Sequence, residues 1–454
     1  MVNYNTGTVV LGTVAAGLIT YKLWDACRNW RLRWRLFKLP GPRASSLLMG
    51  NIEVIKTPIH QQFKAWSEQL GSVYRFRILD RMVVVLTDPE TSKYLKPGPT
   101  YMPKAWRVYQ GFRKISGNDI ESILTAPENE YWKSVRRGLA PAFAVNNLKQ
   151  VFPEAVALSR SAADYLERTG GQAVDIDNIA QRITVDVIGK MVFGMAFNAC
   201  KFEAYNEPLD IVSNLLTSMQ GLGLNPLNRY FPFLEKPRKF RYWCKRYGEL
   251  AERVVRNAQD CPPPPNSIMA SLLSIKDPST GKPLNLEQLK SEVALLLVAG
   301  FETTAHSIAW TLMCLSTHEA AMRRVEEELA SLGLLSTKDK PARALDWGDL
   351  GRLKFLDAAI NESMRLLPVT SSGSGREARD DINVEGHVIP KGAVVMLPTY
   401  TIHRNKKVWG PDADEYKPER WLGESGNEGG ATRRPGYQPF SLGPRDCGPI
   451  SGGA

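Results

Sequence analysis

The amino-acid sequence predicts a mainly α protein with a minor β part. Apolar residues recur at helical spacing through most of residues 128–335. Alternating and β-branched runs are confined to two short regions, near residues 73–86 and 384–395. An uncharged stretch at the N-terminus stands apart from both patterns.

Residues 1–21 carry no charged side chain, and Val9 to Ile19 are apolar or small. About 20 such residues suffice to cross a bilayer as a helix. A cleaved signal would carry a basic segment before the apolar run, and none is present. Residues 1–24 therefore read as a retained membrane anchor. Arg28, Arg31, Arg33, Arg35 and Lys38 follow with no acid among them, which places the body of the chain on the cytosolic side. Trp24, Trp30 and Trp34 suit the interface. Leu39-Pro40-Gly41-Pro42 stops a helix, because proline fixes φ and lacks a donor. Residues 25–42 thus read as a basic flank and stiff hinge, and residues 43–454 as one body.

Within the body, Val73 to Ile78 alternates and Met82 to Leu86 is a run of strand formers, so Asp80 and Arg81 join them as a hairpin. Cys261 to Asn266, with four consecutive prolines, interrupts the helical region. A long apolar helix begins near Asn285, whose spacing to Gln288 resembles a capping box. Phe355 to Leu367 is another apolar helix, ended by Pro368. Val384 to Val395 contains Gly386, Pro390 and Gly392 and reads as short strands with turns. The glycine-rich residues 423–436 read as an exposed loop.

At 454 residues, with 43% hydrophobic and 23% charged side chains, the chain is ordinary for a globular protein. This excludes a disordered, collagenous or polytopic membrane chain. The net charge of +11 invites a nucleic-acid reading, but five of those charges sit in the flank behind the anchor, so no nucleic-acid partner is expected. Six cysteines include no C-x-x-C pair, as expected for reduced thiols facing the cytosol. His318 precedes Glu319 without a second His four residues on, so zinc-protease chemistry has no support.

Three segments carry chemistry. Phe440-Ser-Leu-Gly443-Pro-Arg445-Asp-Cys447 places a cysteine after a Gly-Pro-Arg turn, where backbone N–H groups and Arg445 favour a thiolate. Such a thiolate can ligate haem iron; the plain alternative is a loop cysteine with an incidental arginine. Ala299-Gly300-Phe-Glu302-Thr303-Thr304 lies mid-helix, where Gly and Thr are poor for propensity. A small residue there lets a ligand approach, and a Thr hydroxyl can bend the helix. Glu362 and Arg365 share one face of an apolar helix, and burial of that pair would require a further partner, which Arg420 offers.

The Cys447 segment resembles the haem-ligand loop of the cytochromes P450, haem-thiolate monooxygenases with the pattern F-x-x-G-x-R-x-C-x-G. Phe440, Gly443, Arg445 and Cys447 stand in register, while Pro449 occupies the place of the final Gly. Ala299 to Thr304 is similar to the family's oxygen-activating motif A-G-x-[DE]-T-T. Glu362, Arg365 and Arg420 match its E-x-x-R and P-E-R-F motifs, with Trp421 for Phe. Trp132 and Arg136 match W-x-x-x-R. The resemblance implies Cys447 as the iron ligand and Glu302 with Thr303 as a proton relay, with Ala299 and Gly300 against the haem. Trp132, Arg136, Arg376 and Arg445 would contact its propionates.

The implied fold is a cytochrome P450-like fold of microsomal, fungal type. It has an N-terminal transmembrane helix, and the helix and β-hairpin that the family carries after its ligand loop are expected to be missing. The implied activity inserts one atom of O2 into an apolar small-molecule substrate. Electrons come from NADPH through a separate NADPH-cytochrome P450 reductase, with cytochrome b5 as a second donor, at the endoplasmic reticulum membrane. Lys133, Arg137, Lys406, Lys407, Arg433 and Arg434 are candidates for docking such an acidic partner. The substrate pocket is bordered by residues 109–125, the oxygen helix and residues 369–374. Two alternatives stand beside this reading: a non-catalytic remnant that binds haem weakly, and a haem-thiolate isomerase or dehydratase, against which the intact acid–Thr pair argues.

Overall fold

The computed structural model describes Thr20 and residues 29–47, 49–79, 81–220, 222, 228, 231–265, 267–336, 340–423 and 435–448. Nearly all of the sequence-read anchor and most of the 423–436 loop lie outside these residues. In the described part, mainly helical structure surrounds a small mixed sheet, as expected.

Helix α1 (Ile59–Leu70) leads into strands β1 (Val73–Ile78) and β2 (Arg81–Leu86). These pair antiparallel with Ile78 opposite Arg81, so Arg81 belongs to the strand, and Asp80, expected in the turn, lies outside the described residues. Leu79, at the end of β1, has φ 54°, the positive φ that tight hairpin connections favour. Helices α2 (Glu130–Leu139), α3 (Val145–Arg168), α4 (Ile176–Val192), α5 (Glu207–Met219) and α6 (Glu235–Asp260) follow. Asn129, Asp175 and Asn206 cap α2, α4 and α5 by accepting the backbone N–H three residues on. Each satisfies a donor that the helix start would otherwise leave orphaned.

Helix α7 (Leu286–Thr317) begins with the predicted capping box: Asn285 and Gln288 each accept the other's backbone N–H at 2.9 Å. Val293, Ala294, Leu297 and Phe301 on α7 are fully buried, among side chains of α4, α5 and α6. Among the described residues α7 is the one helix long and apolar enough to cross a membrane, yet its first half is the axis of this core. A Cβ on Gly300 would overlap Ile188 of α4, so the missing side chain is what lets α4 and α7 approach here.

Helices α8 (Glu319–Ser331) and α9 (Lys354–Leu366) complete the helical part. Strands β3 (Ser374–Glu377), β4 (Ile382–Val384), β5 (His387–Ile389) and β6 (Val394–Leu397) follow. β6 inserts between β2 and β3, parallel to the former and antiparallel to the latter. Strands β3 and β6 of the late β region therefore share one sheet with the early strands, while β4 and β5 pair with each other as a separate two-stranded sheet. Residues 35–40 dock on this β region. Arg35 makes a two-bond ion pair with Asp381 at 3.0 and 2.7 Å, Arg75 N–H donates to Pro40 O at 2.8 Å, and Leu36 and Leu39 are buried with Val84, Val395 and Ile402.

The α9 pair is buried, as its apolar setting suggests. Glu362 and Arg365 are both 0% exposed and joined by two 2.8 Å bonds. Arg365 also donates to the carbonyls of His403, Ala413 and Glu415. Glu362 also accepts from Lys417 N–H, Arg420 Nε and Trp421 Nε1 at 2.9, 3.2 and 3.0 Å. A buried pair needs this degree of satisfaction, since removing one partner strands a charge at a cost of about 3–5 kcal/mol. Arg365→Ala should therefore lose about that much in urea unfolding; a loss under about 1 kcal/mol, the scale of a surface pair, would contradict it.

Candidate functional site

The cysteine loop is fastened to α9 through a neutral histidine. Burial pushes the His403 pKa down to about 3. Its Nδ1–H then donates to Arg365 O at 3.3 Å, and its Nε2 accepts the Gln438 N–H at 2.9 Å. Cys447 N–H donates to Phe440 O at 2.9 Å and closes the loop. Gly443, at φ +76°, lies so close to the Leu95 carbonyl that any Cβ would overlap it. Glycine is required there by both backbone conformation and space. Phe440 is 41% exposed, and Cys447 is exposed too.

Cations gather around this loop. Arg445 donates to the carbonyls of Ile123, Leu124 and Ala126 at 3.3, 3.0 and 2.9 Å. Its guanidinium stacks 4.7 Å from the Trp132 ring centroid, and burial lowers its pKa to about 10. Arg136, one turn after Trp132 on α2, pairs with the Asp446 carboxylate. Arg376 is 0% exposed and meets only neutral acceptors in its hydrogen bonds: Ser374 Oγ, Met102 O and Ser441 Oγ at 3.2–3.4 Å. Lys104, bridged in backbone to Arg376, has its pKa driven well down by burial and by Arg445 and Arg376. Among the described residues its ammonium has no carboxylate partner, only the Tyr109 ring at 5.0 Å.

The sequence reading set Arg445 and loop N–H groups beside the sulfur. The structure corrects both details. Arg445 is turned onto residues 123–126, and Gly448 N–H bonds Asp446 Oδ1 at 3.3 Å. The charges that pull the Cys447 pKa down are Lys104 and Arg136, while desolvation by the protein packed around it, the larger effect, pushes it up even though the residue keeps an exposed face. Lys104 was missed because its place beside Arg376 comes from a bridge across 272 residues of sequence, which leaves no local signal.

On α7, Ala299 is exposed between the buried Val298 and Phe301. An opening therefore faces the middle of a core helix. Thr303 lies one turn on, and its hydroxyl donates to Ala299 O at 2.7 Å; Thr304 does the same to Gly300 O at 2.8 Å. This is the backbone-directed Thr bond that bends helices. Glu302 Oε1 bonds His306 Nε2 at 3.0 Å, while Oε2 is buried without a partner among the described residues.

Residues 116–126 tie the two halves together. Arg445 grips their C-terminal end, and α7 grips the rest. Ser291 Oγ bonds Ile120 O at 3.0 Å, Asn118 donates to Glu287 at 2.7 Å, and the fully buried Glu292 accepts from Ile123 N–H and Tyr131 OH at 3.0 and 2.8 Å. Trp132, Arg136, Arg376, Arg445 and Cys447 thus form one cluster. Ala299, Gly300, Glu302 and Thr303 sit on the helix this segment connects to it.

Fold and site together define a helical protein that presents a loop cysteine among buried cations, beside a core helix opened at a small residue. A family model described as Cytochrome P450 matches residues 39–448. The cytochrome P450 monooxygenase mpsF of Macrophomina phaseolina is 30% identical over 355 residues, 76% of this chain and 82% of that protein. The cytochrome P450 monooxygenase acrD of Aspergillus aculeatus is 28% identical, over 76% of this chain and 67% of that one. The putative cytochrome P450 CYP13A3 of Caenorhabditis elegans is 25% identical, over 95% and 87%. The chain belongs to the cytochrome P450 family.

Burial raises the Glu292 pKa to about 7. A raised acid is neutral at no cost below its unfolded pKa, and its buried charge then costs stability as pH rises toward the folded value. Glu292→Gln should therefore gain stability relative to the native protein between pH 4.5 and 7. The change is on the order of 3 kcal/mol. Parallel unfolding curves at pH 5 and pH 8 with a constant difference would contradict this.

Proposed function

We propose that this protein is a haem-thiolate monooxygenase. It inserts one atom of O2 into an apolar organic substrate and reduces the other to water, with electrons from NADPH through a separate reductase. The observation that carries this is the cluster of Lys104, Arg136, Arg376 and Arg445. These buried or half-buried cations have more charge than Asp446 and Glu128 beside them can balance. Buried charge of one sign calls for a counter-ion, and a group bearing two carboxylates, held beside a cysteine, answers it. The monooxygenase activity named for the two fungal relatives points the same way.

In this reading Cys447 would hold the iron as a thiolate, a metal ion being able to overcome the desolvation that favours the thiol. Arg136, Arg376, Arg445, Lys104 and Trp132 hold the carboxylates; of these the guanidinium forks suit bidentate contact. Haem, when bound, supplies the electron and dioxygen chemistry. Ala299 would leave room for it, with Gly300 beside it against Ile188 of α4, and Glu302 and Thr303 would move protons. Thr303, with its own proton on Ala299 O, offers lone pairs that can receive a proton and pass one on. Residues 1–24 anchor the protein in the endoplasmic reticulum membrane, residues 25–42 link, and residues 43–454 are catalytic. Exposed Lys133, Arg137, Lys406 and Lys407 suit an acidic reductase or cytochrome b5.

The reduced chain should give a thiolate-type carbon monoxide difference spectrum, and Cys447→Ser should abolish it, because a serine hydroxyl stays protonated. An unchanged spectrum in the variant would remove Cys447 from its role. Thr303→Ala should keep consuming NADPH while product per NADPH falls about tenfold, equivalent to roughly 1.4 kcal/mol of partitioning. If the hydroxyl only bends α7, that ratio, normalised to bound haem, stays constant.

A further inference from the structure

We propose that His306, held by Asp177, is the proton donor that recharges Glu302 from solvent, so that the relay on α7 is a three-residue chain Asp177–His306–Glu302. The inference rests on the monooxygenase reading and extends its proton path to residues that reading does not use.

The geometry is that of an imidazole fixed between two carboxylates. His306 lies one turn after Glu302 on α7, and its Nε2 is 3.0 Å from Glu302 Oε1. Its Nδ1 is 2.6 Å from Asp177 Oδ1 in the first turn of α4. The two carboxylates take opposite ring nitrogens, so they orient the ring instead of converging on a common point. The other Asp177 oxygen accepts from Gln181 Nε2 at 2.8 Å, and the start of a helix favours an anion. Asp177 is thus a positioning residue held by its own partners, the role a carboxylate plays behind a catalytic imidazole.

The charges facing His306 are Glu302 on its own helix and Asp177 on α4. Tyr247 of α6 lies within electrostatic range of Glu302, with its hydroxyl committed to Ala294 O at 2.6 Å. Among the described residues no lysine or arginine pairs with either carboxylate. The Glu302 bond, then Asp177, raise the His306 pKa to about 9 against the lowering by burial. The ring is therefore an imidazolium at neutral pH, with a proton on each nitrogen. The transfer moves the Nε2 proton to Glu302 Oε1 and leaves a neutral ring whose Nδ1 proton stays on Asp177. The His306 side chain is 30% exposed, so water can return a proton to Nε2. The second Glu302 oxygen, buried and without a partner among the described residues, is the one free to pass a proton onward. A carboxyl can release a proton from one oxygen as it takes one on the other. No bond between heavy atoms changes, and the electrons are those of NADPH and O2 in the parent reading.

The test compares native protein with His306→Gln and Asp177→Asn, each with reductase, NADPH and O2 and normalised to bound haem. Hydrogen peroxide released per O2 consumed needs no known substrate. It should rise about tenfold in His306→Gln, the low end of what a positioned acid contributes. In the native protein the peroxide fraction should stay low at neutral pH and climb as pH rises through about 9, the range in which the imidazolium is lost. Asp177→Asn should move that climb to lower pH, and His306→Gln should abolish it. A second readout needs no turnover. Among five histidines, the NMR titration absent from His306→Gln should lie well above the ordinary value and fall in Asp177→Asn. Native thiolate spectra in all three proteins with the same peroxide fraction and pH limb would overturn the relay alone. A native protein without a thiolate spectrum would overturn the parent reading and the relay with it, whatever the titration shows.

Discussion

The buried ion pair of Glu362 and Arg365 organises the part of the molecule that carries the cysteine. Neither side chain reaches solvent, so every polar atom must be met from within. The partners that meet them are the carbonyls of His403, Ala413 and Glu415, together with Lys417, Arg420 and Trp421. These come from the segment between the last strand and the cysteine loop, where regular structure is sparse. A segment with few ladders of its own is held by satisfying a charge elsewhere. His403 extends the hold to Gln438, and aromatic contacts among Trp409, Trp421 and Tyr437, with centroids 4.7–6.3 Å apart, cover it.

The second constraint is electrostatic and runs the other way. Around Glu362 the charges are matched, and the result is rigidity. Around Cys447 the cations outnumber the acids, Asp446 and Glu128, that stand beside them. Arg376 is as buried as Arg365 yet meets only neutral acceptors, and Lys104 and Arg445 are held below their ordinary pKa values chiefly by burial. A fold tolerates buried cations of one sign only if something compensates them. The contrast separates a structural pair from a binding cluster more clearly than either set of residues would alone. Residues 116–126 then join the cluster to α7 through Arg445 on one side and Glu292 on the other, so the acid–Thr turn and the cysteine loop are positioned by the same short segment.

Much of this was legible in the sequence because it is local. Asn285 and Gln288 cap α7 through a three-residue spacing, β1 follows from alternation and β2 from a run of strand formers, and Glu362 with Arg365 share a face because of helical periodicity. The apolar setting of α9 already demanded a third partner, and Arg420 supplied it. The motif residues around Cys447, and the spacing of Trp132 and Arg136, were readable for the same reason. The His306–Glu302 neighbourhood was readable too, at four residues' separation, but a lone histidine on a helix carries no meaning until its other nitrogen has a partner.

By itself, then, the sequence determined the mainly α class, the order of its elements, the family, and which short motifs carry chemistry. These depend on period, capping and local spacing. Only the tertiary structure decided that β3 and β6 join the early strands in one sheet, that Lys104 joins Arg376, that Arg445 turns to residues 123–126 instead of the sulfur, and that Asp177 faces His306. Each of these joins residues remote along the chain, through backbone pairing or helix packing, and no local pattern encodes which distant group will satisfy a buried charge.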